Sequence, residues 1–158
     1  MTPTLRVCGP ADAAALAATY RDAVLKLGPQ AYSEEQVRVW ARYPEDIATF
    51  RRALAAGLTL CIEVDGTAVA FGQLDTNDHI ALLYCRASHA RKGYASAILR
   101  GLERHAAQSG VAALQVEASA VARPFFERYG YRLLEEEYPV RHGVSFLRYK
   151  MVKMLRDG

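Results

Sequence analysis

The chain has 158 residues, a net charge of +3, 51% apolar residues and 23% charged residues. That length suits one domain (residues 1–158) with a substantial core, and the balance is that of a soluble globular protein. No run of Lys and Arg exceeds two residues, which argues against a nucleic-acid-binding stripe, and no apolar run approaches the roughly 18 residues of a membrane span.

Thr4 to Cys8 reads as a first strand closed by Gly9-Pro10. Asp12 is placed to cap a helix that reaches about Leu27, with Leu16, Tyr20, Ala23, Val24 and Leu27 on one face. Gly28-Pro29 stops it. Ser33, three residues before Gln36, opens a second helix with a capping-box signature. Pro44 starts a third, which Gly57 ends. The period then changes: Leu58–Val64 and Thr67–Asp75 form a hairpin across Asp65-Gly66. His79 to Arg86 is a further strand. The helix from about Lys92 to Gln108 carries Ala95, Ile98, Leu99, Leu102 and Ala106 on one stripe. A strand over Val111–Ala118, a short helix ending at Tyr129-Gly130, and two strands near Tyr131–Tyr138 and Val144–Met154 complete the chain. This order predicts a mixed α/β fold with one sheet.

Cys8, Cys61 and Cys85 are odd in number, lack metal-ligand spacing and lie in apolar, strand-like contexts. They read as buried free thiols of a reducing compartment, with no metal site. With no signal-peptide core in view, the expected location is cytoplasmic. Exposed edges among the last strands make a homodimer an expectation as well.

The stretch Ser88-His89-Ala90-Arg91-Lys92-Gly93-Tyr94-Ala95-Ser96 lies between an apolar strand and a periodic helix. There backbone amides converge on an anion at a helix N-terminus. Arg91 and Lys92 sit where the helix dipole disfavours positive charge, a sign that a bound phosphate would reverse. A solvated basic turn is the other reading of these nine residues.

Leu83-Tyr84-Cys85, Ala90-Arg91-Lys92-Gly93-Tyr94-Ala95, Ala118-Ser119 and Phe125-Phe126-Glu127-Arg128-Tyr129-Gly130-Tyr131 together resemble the GNAT superfamily of acetyl-CoA-dependent N-acetyltransferases. The resemblance covers nearly the whole chain. It implies a largely antiparallel sheet of about seven strands, with one splayed parallel pair and helices on both faces. It also implies that acetyl-CoA is bound by Leu83, Tyr84, Cys85, Arg91, Lys92, Gly93, Tyr94, Ala95, Ser96, Ser119, Phe126 and Tyr129. Loop amides would hold the diphosphate, and the free strand edge would pair with the pantetheine arm. The Tyr84 amide would face the thioester carbonyl. Where relatives carry Gln or Arg, this chain has Ala90.

The acceptor implied is a small-molecule primary amine. An amine with a pKa near ~10.4 must lose a proton before it attacks. The resemblance puts a base early on the strand leading to the loop, where this chain has His79 in place of the usual glutamate. A histidine near its ordinary pKa suits that work; capping the strand after Asn77-Asp78 is the alternative role. Glu117 is a second candidate base, or a solvent-facing strand residue. Many relatives carry a tyrosine at the place of Phe126, which has no proton to give the departing thiolate. Tyr129, Tyr84 and Ser119 remain near, though Ser119 could equally cap the short helix. Tyr32, Gln36 and Trp40 are the expected acceptor-contacting residues, with a core role for Trp40 the alternative. A non-catalytic acyl-CoA-binding module is the competing function.

Overall fold

The computed structural model describes residues 2–155; the remaining ends of the expected 1–158 domain lie outside them. The element order is β1 (Thr4–Cys8), α1 (Ala13–Leu27), α2 (Glu34–Ala41), α3 (Ile47–Ala55), β2 (Leu58–Val64), β3 (Thr67–Thr76), β4 (His79–Cys85), α4 (Tyr94–Gln108), β5 (Ala113–Ser119), α5 (Arg123–Arg128), β6 (Arg132–Glu137), β7 (Val140–Arg141), β8 (Val144–Ser145) and β9 (Arg148–Met154). Seven strands form one sheet in the order β1-β2-β3-β4-β5-β9-β6, and β7 with β8 makes a separate small hairpin. Every pair in the large sheet is antiparallel except β4 with β5.

Local chemistry explains several of these elements. Asp65 and Gly66 adopt φ of 54° and 79°, the left-handed pair that a two-residue hairpin needs. Ser33 and Gln36 form the reciprocal capping box, each side chain bonded to the other's amide. Asp12 does not cap α1. Its carboxylate accepts from the Gly9 amide at 2.9 Å and from Arg6 at 2.7 Å, and a single 3-10 turn over Pro10–Asp12 leads into the helix. The long last strand expected over Val144–Met154 is broken at Phe146-Leu147, so only Arg148–Met154 joins the sheet.

Two cores flank the sheet. On one face Ile98, Leu99, Leu102 and Ala106 of α4 pack on Leu60, Val69, Leu74, Ile80, Leu114 and Val116. On the other, Leu16, Tyr20 and Val24 of α1 and Phe50 and Leu54 of α3 pack on Cys61, Phe71 and Leu82. Cys8 and Cys61 are buried, whereas Cys85 is half-buried.

The parallel pair is very short. His79 faces Gln115 and Ile80 faces Val116, and there the β4–β5 register ends. Beyond it β4 stays paired with β3 as far as Cys85, and β5 stays paired with β9 as far as Ser119. The two strands therefore part while each is held from its outer side. Register shifts between β3 and β4 leave Ala81 and Asp75 without direct partners; such bulges bend a strand and re-aim side chains.

Gly72 lets α4 lie close against this region. A Cβ there would stand 2.8 Å from Ile98 and 3.0 Å from Leu83. We expect Gly72→Ala to lower unfolding free energy by about 1–3 kcal/mol through overpacking, measured by denaturant titration.

Candidate active site

The cleft between the parted strands opens into a cavity of about 910 Å³. Its walls include Tyr20, Tyr32, Trp40 and Tyr43 from the first helices and their connections, His79 to Cys85 from β4, Val116 to Ser119 from β5, and Phe126 from α5. Arg141, His142, Phe146 and Arg148 close the far side.

At the point where the strands separate, His79 is gripped from both ends. Its Nε2 lies 2.6 Å from Glu117 Oε2 and its Nδ1 lies 2.8 Å from Asp75 Oδ1. The hydrogen bond to Glu117 is the largest cause of a His79 pKa raised to about 9; burial opposes it and Asp75 reinforces it. In turn the imidazole holds the Glu117 carboxyl below its ordinary value. His79 is thus an imidazolium at neutral pH in the free protein. The expectation of a histidine near its ordinary pKa is corrected by these two carboxylates. Asp75 was not singled out from the sequence, where it closes a strand. Only the register shift beside Leu74 and Thr76 turns its carboxylate onto the ring.

Tyr84 is deeply buried. Its hydroxyl accepts from Trp40 Nε1 at 3.3 Å, its ring lies 4.5 Å from that of Tyr20, and burial pushes its pKa up to about 12. Its amide does not fit the expected role. The Arg86 amide donates to Val69 at 2.8 Å and Phe71 stands opposite Tyr84, so strand alternation turns the Tyr84 amide toward β3 as well. The amides of Leu83 and Cys85 face the parted edge instead. The Cys85 thiol, raised to about 11 by burial, is protonated and unsuited to nucleophilic work.

The loop after β4 ends in two left-handed residues, Arg91 (φ 63°) and Gly93 (φ 85°). Ala97 donates to the Gly93 carbonyl at 3.0 Å, the first intrahelical bond of α4. The amides of Tyr94, Ala95 and Ser96 therefore precede the helical ladder. Arg91 and Lys92 are exposed, and neither enters an ion pair among the described residues. Two unneutralised cations beside free amides fit a diphosphate. The loop is anchored from α1, with Asp22 accepting from the Ala87 amide at 3.0 Å. Tyr94 stacks on His89 at 6.2 Å.

Other expected residues divide. Ser119 lines the cavity and also accepts from the Ala122 amide at 3.0 Å, as a turn cap. Phe126 lines it with only 2% exposure, packed edge-on against Tyr131 at 5.2 Å. Tyr129 lies away from the cavity wall, its hydroxyl 2.6 Å from Ser96. Tyr32 and Trp40 line the cavity, their rings 5.4 Å apart. The Tyr32 hydroxyl donates to Leu147 at 2.6 Å and accepts from Ala120 at 2.8 Å, tying the β8–β9 and β5–α5 connections together. Gln36 is not on the cavity wall. Its amide is used by the Ser33 cap and by the Ser145 carbonyl at 2.9 Å.

An open α/β sheet with a parted parallel pair, a cationic helix-entry loop beside it and a proton-holding cluster at its root defines an acyltransferase-type site. Residues 29–153 match the family model described as acetyltransferase (GNAT) domain. The chain is similar to the uncharacterized N-acetyltransferase YafP of Escherichia coli K12, 29% identical over 143 residues, which is 90% of this chain and 89% of that protein. A crystal structure of a GCN5-related N-acetyltransferase from Rhodopseudomonas palustris superposes with a TM-score of 0.93 at 32% identity, over 98% of this chain and 96% of the other. The PaiA N-acetyltransferase of Thermoplasma acidophilum, solved in complex with coenzyme A, shares the fold at a TM-score of 0.78 and 17% identity, over 98% and 99% of the two chains. The chain belongs to the GNAT family of N-acetyltransferases, a family of acyl-transferring enzymes. No helix among the described residues is long and apolar enough to cross a membrane.

The His79 shift has a stability consequence with a definite sign. Its folded-state pKa, about 9, exceeds the ordinary 6.5. Its contribution is fully present below 6.5 and lost as pH rises through about 9. Thermal unfolding should show Tm falling across that interval. Asp75→Asn should flatten the fall and move the His79 ring titration, read by NMR, down toward 6.5.

Proposed function

We propose that the protein transfers an acetyl group from acetyl-CoA to a small-molecule primary amine by direct attack in a ternary complex. The observation that carries this reading is the parted β4–β5 edge with the His79–Glu117 pair on one cavity wall, and the Arg91–Ser96 loop in the connection that leads on from that same β4 edge to α4. Acetyl-CoA supplies the activated acyl group as a thioester. Arg91, Lys92 and the amides from Gly93 to Ser96 bind and orient the diphosphate. The free edge of β4 pairs with the amide-bearing arm as an added strand. Of the two β4 amides on the parted edge, Leu83 and Cys85, one faces the charge that develops on the carbonyl oxygen and the other pairs with the arm.

The amine arrives as a cation at a cluster in which two carboxylates face one imidazolium. His79 in its neutral form holds Nδ1–H toward Asp75 and takes the amine proton through Glu117 or a water. The nitrogen lone pair then forms the C–N bond as the C–S bond breaks, and the second proton that the nitrogen sheds on becoming an amide ends on the departing thiolate. A base with a pKa of about 9 is well matched to an amine near ~10.4, only slightly uphill for transfer. Phe126 can only pack against the coenzyme. Thiolate departure needs less assistance than amine deprotonation, so the design places its proton chemistry at β4 and β5 rather than on α5.

Two outcomes test this. With a primary amine acceptor, kcat/KM should climb with pH to an apparent pKa near 9; His79→Ala should remove that limb and lower the plateau by about 10²-fold. An unchanged limb would take His79 out of the mechanism. The double change Arg91→Ser with Lys92→Ser should raise KM for acetyl-CoA about tenfold or more. It should leave turnover of S-acetylpantetheine, which lacks the diphosphate, unaffected.

A further inference from the structure

The acidic groups on the cavity wall, among the described residues, are Glu45, Asp46, Asp75 and Glu117. Two are already engaged elsewhere. Asp46 accepts from the amide and hydroxyl of Thr49 at 3.2 and 2.7 Å, and Glu45 faces Arg21 at 3.3 Å and Arg42 at 4.0 Å. The other two share His79, which leaves one negative charge in excess where the strands part. Across the cavity stands exposed Arg141, whose guanidinium reaches only its neighbour's Val140 carbonyl at 3.3 Å. Arg148, also on the wall, is paired with Glu137 at 2.9 Å, so the site balances one ammonium, and a second would meet positive charge.

Six aromatic side chains line the cavity, Tyr20, Tyr32, Trp40, Tyr43, Tyr84 and Phe146, beside aliphatic residues such as Val24, Leu27 and Leu147; of the polar residues there, Gln73 donates to Ala53 and Arg148 to Glu137. The polar tips of Tyr20, Tyr32, Trp40 and Tyr84 are turned to partners within the protein. Tyr20 donates to the Trp40 carbonyl at 3.0 Å, Trp40 donates to Tyr84, and the Tyr32 hydroxyl bridges Leu147 and Ala120. What these side chains offer a ligand is ring surface. A polyhydroxylated acceptor would leave its own hydroxyls unpaired against such a wall, at a large penalty, whereas a flat apolar body gains ring contacts.

We infer, building on the acetyltransferase reading above, that the acceptor is a primary monoamine with a flat apolar body, an arylalkylamine. The amine nitrogen sits at the His79–Glu117 pair and the ring lies among Trp40, Tyr43 and Phe146. The atoms exchanged are those of the reaction already given, the C–N bond forming as the C–S bond breaks.

Trp40 is the single tryptophan of the chain, so its emission reports acceptor binding independently of turnover. The full chain is titrated with 2-phenylethylamine, n-hexylamine, spermidine and kanamycin while Trp40 emission is followed, and kcat/KM is then measured for each by thiol release. 2-Phenylethylamine should half-saturate at a concentration about three- to tenfold lower than n-hexylamine, from ring contacts alone, with kcat/KM in the same order. Spermidine and kanamycin should both be weaker than n-hexylamine. Tyr43→Leu should erase the preference for the phenyl ring over the hexyl chain, and Arg141→Glu should improve spermidine selectively. The proposal is overturned if spermidine or kanamycin ranks first, if the phenyl and hexyl amines are equal, or if no amine alters Trp40 emission. Calorimetric titration with acetyl-CoA reads the other half of the cleft separately. Heat of binding without the predicted amine ranking defeats only the acceptor class, while absence of heat defeats the acetyltransferase reading itself.

Discussion

Two adjacent strands that are bonded to each other for only two residues, yet each held along its outer side, form the constraint on which this molecule depends. β3 holds β4 and β9 holds β5, so the inner edges can part without either strand losing its place in the sheet. An unpaired edge inside a sheet is ordinarily costly, because buried amides and carbonyls need partners. Here the open edge faces a cavity, where a ligand with amide groups of its own can complete the ladder. The two hydrophobic cores do the rest. Packing of α4 on one face and of α1 and α3 on the other keeps both strands anchored while their ends diverge.

The charge cluster stands at the fork. Asp75, His79 and Glu117 come from the ends of β3 and β4 and from β5, so the imidazolium joins three strands where their backbone bonding changes. That location explains why one side chain serves both structure and chemistry. Protonated, it cross-links the carboxylates. Neutral, it would be the base of the proposed reaction. The neutral ring, with one N–H, keeps only one of the two hydrogen bonds, and the two carboxylates that strengthen the link also raise its pKa.

Much of this could be read from the chain before any coordinates. The Asp65-Gly66 turn, the Ser33–Gln36 box and the α4 stripe are local signals, each with its chemistry contained in a few consecutive residues. The glycine-bearing loop before α4 and the positions of His79 and Glu117 also followed from spacing and resemblance. What was hidden depends on register. Asp75 reaches His79 because β3 slips against β4, and no periodicity in the sequence announces a slip. The direction of the Tyr84 amide follows from pairing parity across β3, which local pattern leaves open. Asp12 and Gln36 were legible as residue types but not in their allegiance. Arg6 claims Asp12 from across the strand, and the Gln36 amide is consumed by its own cap and by Ser145.

The cavity is assembled from two separately supported halves. One consists of β4, the loop after it, α4 and β5; the other is contributed by α1, α2, the segment around Tyr43 and the connection between β8 and β9. They meet chiefly through side chains such as Trp40 on Tyr84 and Tyr32 on Ala120. Substitutions on the cavity-facing side of the first 45 or so residues can change the acceptor wall, while Thr19 and Asp22 of α1 stay tied to the loop after β4. The same fold is kept in the Thermoplasma acidophilum PaiA N-acetyltransferase at only 17% identity, so the sheet and its fork tolerate wide change in the side chains that clothe them.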